Sequence, residues 1–315
     1  MNLHIPVIKV IGIGGSGSNT ISRMVDSDIK KIELIAINTD AQALQRCRAP
    51  KKILIGKETT YGLGTGMNAE LGRRAALESQ QKILESLKGA EMVFLTCGLG
   101  GGTGSGGIPV IAELCRSLGV LTIGVVTKPF SFEGEERRRV AEKALEKLKG
   151  KIDSLILISN DKLLSLIDEK TTVSEAFLKC DEILAQAVQS ITNLFLVRGI
   201  INIDFSSISS LLRNSGRAVF GMGRGRGETR SVKAAEQAVI SPLLEFSFKK
   251  VNGILFTLLG RNITLNEVRQ AAQVITQRAD SKTKIICGAI EDKRLPIDEM
   301  RISLVATSSE DSLSG

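Results

Sequence analysis

Residues 98–107 read GLGGGTGSGG, seven glycines in ten positions, directly behind the apolar run MVFLTC. Between a strand and a helix, consecutive glycines let a ligand approach the main chain without meeting Cβ atoms. Their amide N–H groups, together with a helix N-terminus, make a seat for phosphate. A second loop, GIGGSGSN at residues 12–19, contains G-x-G-x-x-G at Gly12, Gly14 and Gly17, and a third cluster, GLGTG, occupies residues 62–66. One such loop is a weak dinucleotide fingerprint, and a dinucleotide oxidoreductase is the remote alternative it leaves open. Three loops can enclose a polyphosphate from several sides. No G-x-x-x-x-G-K-[ST] occurs, so the chain is not a P-loop protein.

Composition bounds the remaining chemistry. Among 315 residues there is one histidine, His4, which excludes a His-based triad, a multi-histidine metal site or a histidine base in the body of the chain. Cys47, Cys97, Cys115, Cys180 and Cys287 lie far apart and mostly in apolar runs, as expected of reduced core thiols. Catalysis is left to carboxylates, backbone amides and cations. An aromatic share of 3% without tryptophan argues against a base-stacking platform, and no nucleic-acid partner is expected. The net charge of +8 fits either an anionic partner or a basic solvated surface. No run approaches the roughly 18 apolar residues of a membrane span, and MNLHIPVIKV lacks the marks of a signal peptide, so a cytoplasmic protein is expected.

The chemistry-bearing loops need elements to hold them. VIKVIGI, IELIAIN, MVFLTC, VLTIGVV and SLILIS alternate with helical patterns from about Ser18, Ala69, Ile108 and Gly134. This predicts an α/β, Rossmann-like half with a parallel sheet covered on both faces. From Val173 to Arg198 an apolar stripe (Phe177, Cys180, Leu184, Ala187, Ile191, Leu194) recurs at helical spacing, predicting a long central helix. Beyond it RAVFGMG, a helix over 228–240, GILFTLLG, a helix over 265–279, KIICGAI and RISLVAT describe a smaller α+β domain. SSEDSLSG reads as a frayed tail.

GLGGGTGSG resembles the tubulin/FtsZ family signature G-G-G-T-G-[ST]-G. IKVIGIGGSGSN, AINTDAQAL, VVTKPFSFEG, NDKLL, CDEILAQAVQSI, GIINIDF and SPLLE follow in the order found in FtsZ-type members, over residues 7 to about 307. The resemblance implies a cytoskeletal GTPase of cell division that polymerises head to tail. The loop after the central helix of one subunit would close over the nucleotide of the next. It implies a GTP-binding domain over 1–172, a central helix and co-catalytic loop over 173–207, a C-terminal domain over 208–307 and a tail over 308–315. The loop Gly14, Gly15, Ser16, Gly17, Ser18 and Asn19 would hold phosphate, with Asn19 reaching toward guanine. Gly64, Thr65 and Gly66 would lie near the γ-phosphate, and Gly100, Gly101, Gly102, Thr103 and Gly104 would wrap the phosphates. Glu133 would bind ribose, Arg137 would neutralise phosphate, Asn160 and Asp181 would read guanine, and Phe177 would stack on it. Mg2+ would accompany the GTP or GDP phosphates without protein ligands. Read without the family, Phe177 on its apolar stripe suits plain core packing better, Asp181 and Asn160 suit caps or exposed positions, and Arg137 suits a solvated charged face.

Three departures stand out. FtsZ-type members usually carry N-x-D-F-x-D after the central helix; Asn202 and Asp204 match as catalytic residues, but Ser207 occupies the place of the second acid. A serine hydroxyl orients water but is no base near neutrality. Slow hydrolysis is therefore expected, with a structural filament of little turnover, able to co-assemble with a second FtsZ-type subunit, as the alternative. Glu310 or Asp311 of the tail is a further acid that could substitute. The given sequence stops at SSEDSLSG, before the C-terminal peptide by which FtsZ-type members usually bind membrane tethers, which leaves open either a chain cut short or attachment to partners in another way. Finally, Arg213, Arg217, Arg224, Arg226 and Arg230 cluster around GMGRGRGETR, either as exposed turn arginines or as a contact for anionic lipid or an acidic partner.

Overall fold

The computed structural model describes residues 6–26, 32–164, 168, 170–196, 199–201, 203–243 and 251–308. His4, Asn202, Glu310 and Asp311, all named above, lie outside them. The chain divides into two units, Met1–Gln189 and Ser190–Gly315.

The first unit runs β1 (Ile8–Ile13), α1 (Gly14–Met24), β2 (Ile32–Asn38), α2 (Ala41–Arg46), β3 (Lys51–Leu54), α3 (Lys57–Thr60), α4 (Ala69–Glu78), α5 (Gln80–Leu87) and β4 (Met92–Gly98). Then come α6 (Gly102–Ser117), β5 (Leu121–Lys128), α7 (Glu135–Leu148), β6 (Ser154–Ser159), α8 (Asn160–Leu163) and α9 (Val173–Leu196), inside which the division between the units falls. Its strands pair in parallel in the order β3-β2-β1-β4-β5-β6. Every residue of β1 is buried, as a strand covered on both faces requires. Ile11, Ile35, Val93 and Leu95 belong to one core with Ile83, Ile108 and Leu145 from the helices. The strand order reverses between β1 and β4. Such a switch point opens a crevice at the carboxyl ends of the strands, and the two longer glycine runs follow these two strands.

The sequence places two helix starts too late. α1 begins at Gly14 rather than Ser18, and α6 at Gly102 rather than Ile108. Glycine is a poor helix former, but crossing helices need the room it leaves. A Cβ on Gly106 would stand 2.0 Å from the Ala69 carbonyl oxygen, where α4 crosses α6. The glycine runs are thus largely first turns of helices.

The second unit contains α10 (Phe205–Leu212), β7 (Gly216–Arg226), α11 (Arg230–Val239), β8 (Gly253–Gly260), α12 (Leu265–Thr276), β9 (Lys284–Glu291) and β10 (Glu299–Ser308). The order is β7-β10-β8-β9, with β10 antiparallel to β7 and β8, and β9 parallel to β8. α11 and α12 share a core with the sheet through Ala234, Ala238, Ala271, Phe256 and Leu304.

The arginine cluster is more internally partnered than its sequence suggests. Arg224, Arg226 and Arg301 all bind the fully buried carboxylate of Glu299, at 2.8 Å from Arg226 Nη2 and 2.9 Å from Arg301 Nε. Burial pushes the Glu299 carboxyl up, but the three guanidiniums outweigh it and hold it at about 2. Arg230 is buried and paired with Glu267 at 2.6 Å, with further donation to the Arg261 carbonyl at 2.8 Å. Arg230 therefore does not belong to a solvated patch.

Candidate functional site

A cleft of about 390 Å³ lies in the first unit at the carboxyl ends of its strands. Of the sequence-predicted residues it brings together Gly14, Gly15, Ser16, Asn19, Thr65, Gly101, Gly102, Thr103, Gly104, Glu133, Arg137, Asn160, Phe177 and Asp181. Two helices open onto it without a side-chain cap and without an acid in the first turn: α1, entered from Ile13, and α6, entered from Gly101. Their leading N–H groups lack intrahelical partners, and both dipoles present a positive end to the cleft. These turns nearly touch, since a Cβ on Gly14, at φ +72°, would lie 3.2 Å from the Gly104 nitrogen. Gly15 and Gly101 have open space where a Cβ would stand. The resulting seat is made of main chain and suits phosphate.

Gly17, Ser18, Gly64, Gly66 and Gly100 do not line the cleft. Gly17 serves packing, because a Cβ there would meet the Thr96 carbonyl oxygen at 2.6 Å as α1 presses on β4. Ser18 is buried, with its carbonyl accepting from Ser22 Oγ at 2.9 Å and Cys47 Sγ at 3.2 Å. Gly64 and Gly66 shape the turn that carries Thr65; Gly64 N–H donates to the Thr39 carbonyl at 3.2 Å. Gly100 N–H donates to Ser105 Oγ at 2.8 Å, tying the turn before α6. At the floor, Thr103 Oγ1 shares hydrogen bonds with Thr39 Oγ1 at 2.7 Å and Thr65 Oγ1 at 3.4 Å. These contacts join the glycine clusters at 62–66 and 98–107 to the end of β2.

The opposite end is shaped for a base. Asp181 on α9 is 5% exposed; its Oδ1 accepts from Ser16 Oγ at 2.9 Å and its Oδ2 from Asn19 Nδ2 at 3.2 Å. Burial raises its carboxyl to about 6, against the opposing pull of those two donors and of Arg23. Asn160, also buried, has no hydrogen-bond partner for Oδ1 among the described residues. Such an orphaned acceptor is costly unless something donates to it. Phe177 is 37% exposed and meets Phe130 edge-on at 5.4 Å, so it is not plain core packing. Glu133 accepts from Phe130 N–H at 2.8 Å and pairs with Arg137. The guanidinium thus enters the cleft with one edge already engaged.

Sequence reasoning missed Ile13, Gly98, Leu99, Thr127, Pro129 and Cys180 in the cleft wall. Leu99, Thr127 and Pro129 lie where β4 and β5 end, and the rule that ligands bind at the carboxyl ends of parallel strands is the signal that would have named them. Cys180 is one residue from Asp181, and burial pushes its thiol to about 12, so it offers no ready thiolate.

Asp204 and Ser207 fall in the second unit. Asp204 caps α10, its Oδ1 accepting from Ser207 N–H and, at 3.1 Å, from Ser206 Oγ. The Ser207 side chain, the largest influence, then its amide and Ser206, hold this exposed carboxyl below its ordinary value.

A model of the tubulin/FtsZ family GTPase domain matches residues 7–168. The chain belongs to the tubulin/FtsZ family. A model of the FtsZ family C-terminal domain matches residues 216–310. An empty FtsZ dimer from M. jannaschii is 40% identical, with a TM-score of 0.94 over 98% of this chain and 90% of that one. A mutant FtsZ of the same organism is 41% identical, with a TM-score of 0.93 over 96% of this chain and 91% of that one. A GTPγS-bound protofilament of CetZ2 from Haloferax volcanii shares the fold at 22% identity, with a TM-score of 0.83 over 98% and 94% of the chains. Tubulin/FtsZ proteins are GTP-binding cytoskeletal GTPases, so family membership removes the support for a dinucleotide oxidoreductase. Among the described residues no helix is long and apolar enough to cross a membrane.

Proposed function

We propose that the chain binds GTP in the cleft of its first unit, hydrolyses it to GDP and phosphate, and polymerises head to tail. The Asn202/Asp204 segment of one subunit completes the site of the next. The observation that carries this reading is the meeting of two uncapped helix N-termini with the buried Asp181 carboxylate around one cavity. Phosphates rest on the amides of Gly14–Ser16 and Gly101–Gly104, with Thr65 and Thr103 beside them. Guanine offers two N–H donors to Asp181 and an N–H to Asn160 Oδ1, while Phe177 covers the ring. Glu133 takes the ribose hydroxyls and orients Arg137. Mg2+ would be held mainly by the nucleotide phosphates. When bound, Mg2+ would offset phosphate charge.

Cell division at a cytoplasmic septum is the role the family suggests, with the same chain, or a second FtsZ-type chain, as partner. A slow enzyme forming long-lived filaments is favoured by one observation. Asp204, which would have to orient water, already spends Oδ1 on capping α10 and on the Ser206 hydroxyl.

Sedimentation with GTP, GDP and a non-hydrolysable analogue, with phosphate release followed in the same tube, tests both statements. Polymer should appear with GTP and the analogue but not with GDP. Ser207→Asp should raise phosphate release per assembled subunit by roughly 10- to 100-fold. An unchanged rate would remove the slow-hydrolysis reading, and absence of GTP affinity would remove the whole proposal.

A further inference from the structure

The loss of an acid at position 207 is accompanied by a base on the same surface. α10 buries Ile208, Leu211 and Leu212. Leu211 settles over Gly253 of β8, where a Cβ would come within 2.1 Å of its Cδ1. Gly253 pairs in register with Lys284, the first residue of the neighbouring edge strand β9. The seat of α10 thereby brings Lys284 beside the helix. Its Nζ donates to Ser210 Oγ at 2.7 Å, and Ser210 Oγ donates to the Ser207 carbonyl at 2.9 Å.

Asp204, Ser207 and Ser210, three residues apart, run along one ridge of the helix. The Lys284 ammonium is close enough to contribute to holding Asp204 ionised, yet the two do not form an ion pair. Lys284 and Asp204 are both exposed. A ridge with two acids would present two negative charges to an incoming triphosphate, whereas this ridge presents one negative and one positive.

We propose that Lys284 is a catalytic cation supplied in trans, placed by α10 against the γ-phosphate of the neighbouring subunit's nucleotide while Asp204 orients the attacking water. The inference rests on the reading that this loop completes a neighbour's site. In the step itself, the water oxygen forms a bond to the γ-phosphorus. The bond from that phosphorus to the β–γ bridging oxygen breaks, leaving GDP and inorganic phosphate. The water proton passes to a γ-phosphoryl oxygen, since a carboxylate held below its ordinary pKa is a weak base. The ammonium neutralises charge on the phosphoryl oxygens in a loose transition state, where a preorganised cation is most effective. The chain thus exchanges a second water-polarising acid for a phosphate-neutralising base.

The test compares Lys284→Gln, Lys284→Ala, Lys284→Arg and Asp204→Ala with the native chain. GTP affinity of dilute monomer is measured, and phosphate release is expressed per sedimented subunit, with a crowding agent used to match polymer mass. Lys284→Gln keeps a donor for Ser210 and removes the charge. Both Lys284→Gln and Lys284→Ala should release phosphate at least roughly tenfold more slowly per assembled subunit, with monomer affinity unchanged. Lys284→Arg should retain most of the rate. A native or higher rate in Lys284→Gln overturns the proposal, as does failure of Lys284→Gln and Lys284→Ala to assemble under crowding, because the lysine then serves the contact rather than the chemistry. Asp204→Ala separates the two levels. If it is slow while Lys284→Gln is native, only the lysine is wrong; if both hydrolyse at the native rate, the loop does not complete the site.

Discussion

Two carboxylates, one in each unit, are buried almost equally and held in opposite ways. Asp181 meets a hydroxyl and an amide, both neutral, and burial raises it to about 6. Glu299 meets three guanidiniums and is held at about 2. The second arrangement is complete: the charge is compensated on the spot and β10 is fastened to β7. The first is unfinished. A carboxylate left with neutral partners in a cleft costs the empty fold free energy, and that cost is recovered only when a ligand supplies further N–H donors. Perturbed groups of this kind collect at functional sites, whereas satisfied ones are found in structural networks.

The largest effect should come from completing the wrong site. Asp181→Asn removes the carboxylate that accepts two guanine N–H groups, and GTP affinity should fall by about 3 kcal/mol, roughly 100-fold. Xanthosine triphosphate, whose ring carries a carbonyl where guanine carries an amino group, should then compete well, because the carboxamide introduced by the substitution can donate to it. Equilibrium titration with both nucleotides reads the exchange. Unchanged GTP affinity would show that Asp181 is a structural carboxylate after all. The same variant should leave the empty protein no less stable at neutral pH.

Glu299→Gln should reverse that pattern. It leaves three guanidiniums facing one another around a neutral amide. Since their side chains are half exposed and water screens them, the loss should be about 2 kcal/mol rather than the full cost of a broken buried pair. Urea denaturation of the nucleotide-free protein measures it. GTP affinity should stay native, and a stability change near zero would mean that the arginines do not depend on Glu299.

The contrast also explains what the sequence disclosed. Parallel strands were legible because β1, β4 and β5 are short, predominantly apolar runs separated by helical patterns, and the cleft was legible because glycine runs behind such strands have few other uses. Asp181, Asn160 and Phe177 were reachable only through family resemblance, since no spacing rule joins residue 16 to residue 181. Helix starts at Gly14 and Gly102 were missed because local propensity disfavours glycine and only the packing of α4 and β4 against those turns overrides it. The ring of Arg224, Arg226 and Arg301 around Glu299 was hidden for a related reason. Two arginines alternate on β7, and their shared partner Glu299 is more than seventy residues away on β10, so the sequence showed a run of charge without its counter-ion.

Acid separates the two carboxylates without any mutation. Guanine recognition needs Asp181 ionised, and with its carboxyl at about 6 in the empty protein GTP affinity should fall by about tenfold between pH 7 and pH 5. Stability should move the other way. Because the folded value lies above the unfolded one, the contribution of protonated Asp181 is fully present below about pH 4 and is lost as pH rises through 6. Glu299 has the opposite sign: its folded value lies below the unfolded one, so its contribution is present above about pH 4.5 and is lost only as pH falls toward 2. Between pH 7 and pH 5, therefore, Asp181 alone of the two should titrate. The stability of the native chain relative to Asp181→Asn should rise across that interval, while its stability relative to Glu299→Gln stays nearly flat. If both differences moved together, the distinction between an unfinished and a finished carboxylate would not describe this protein.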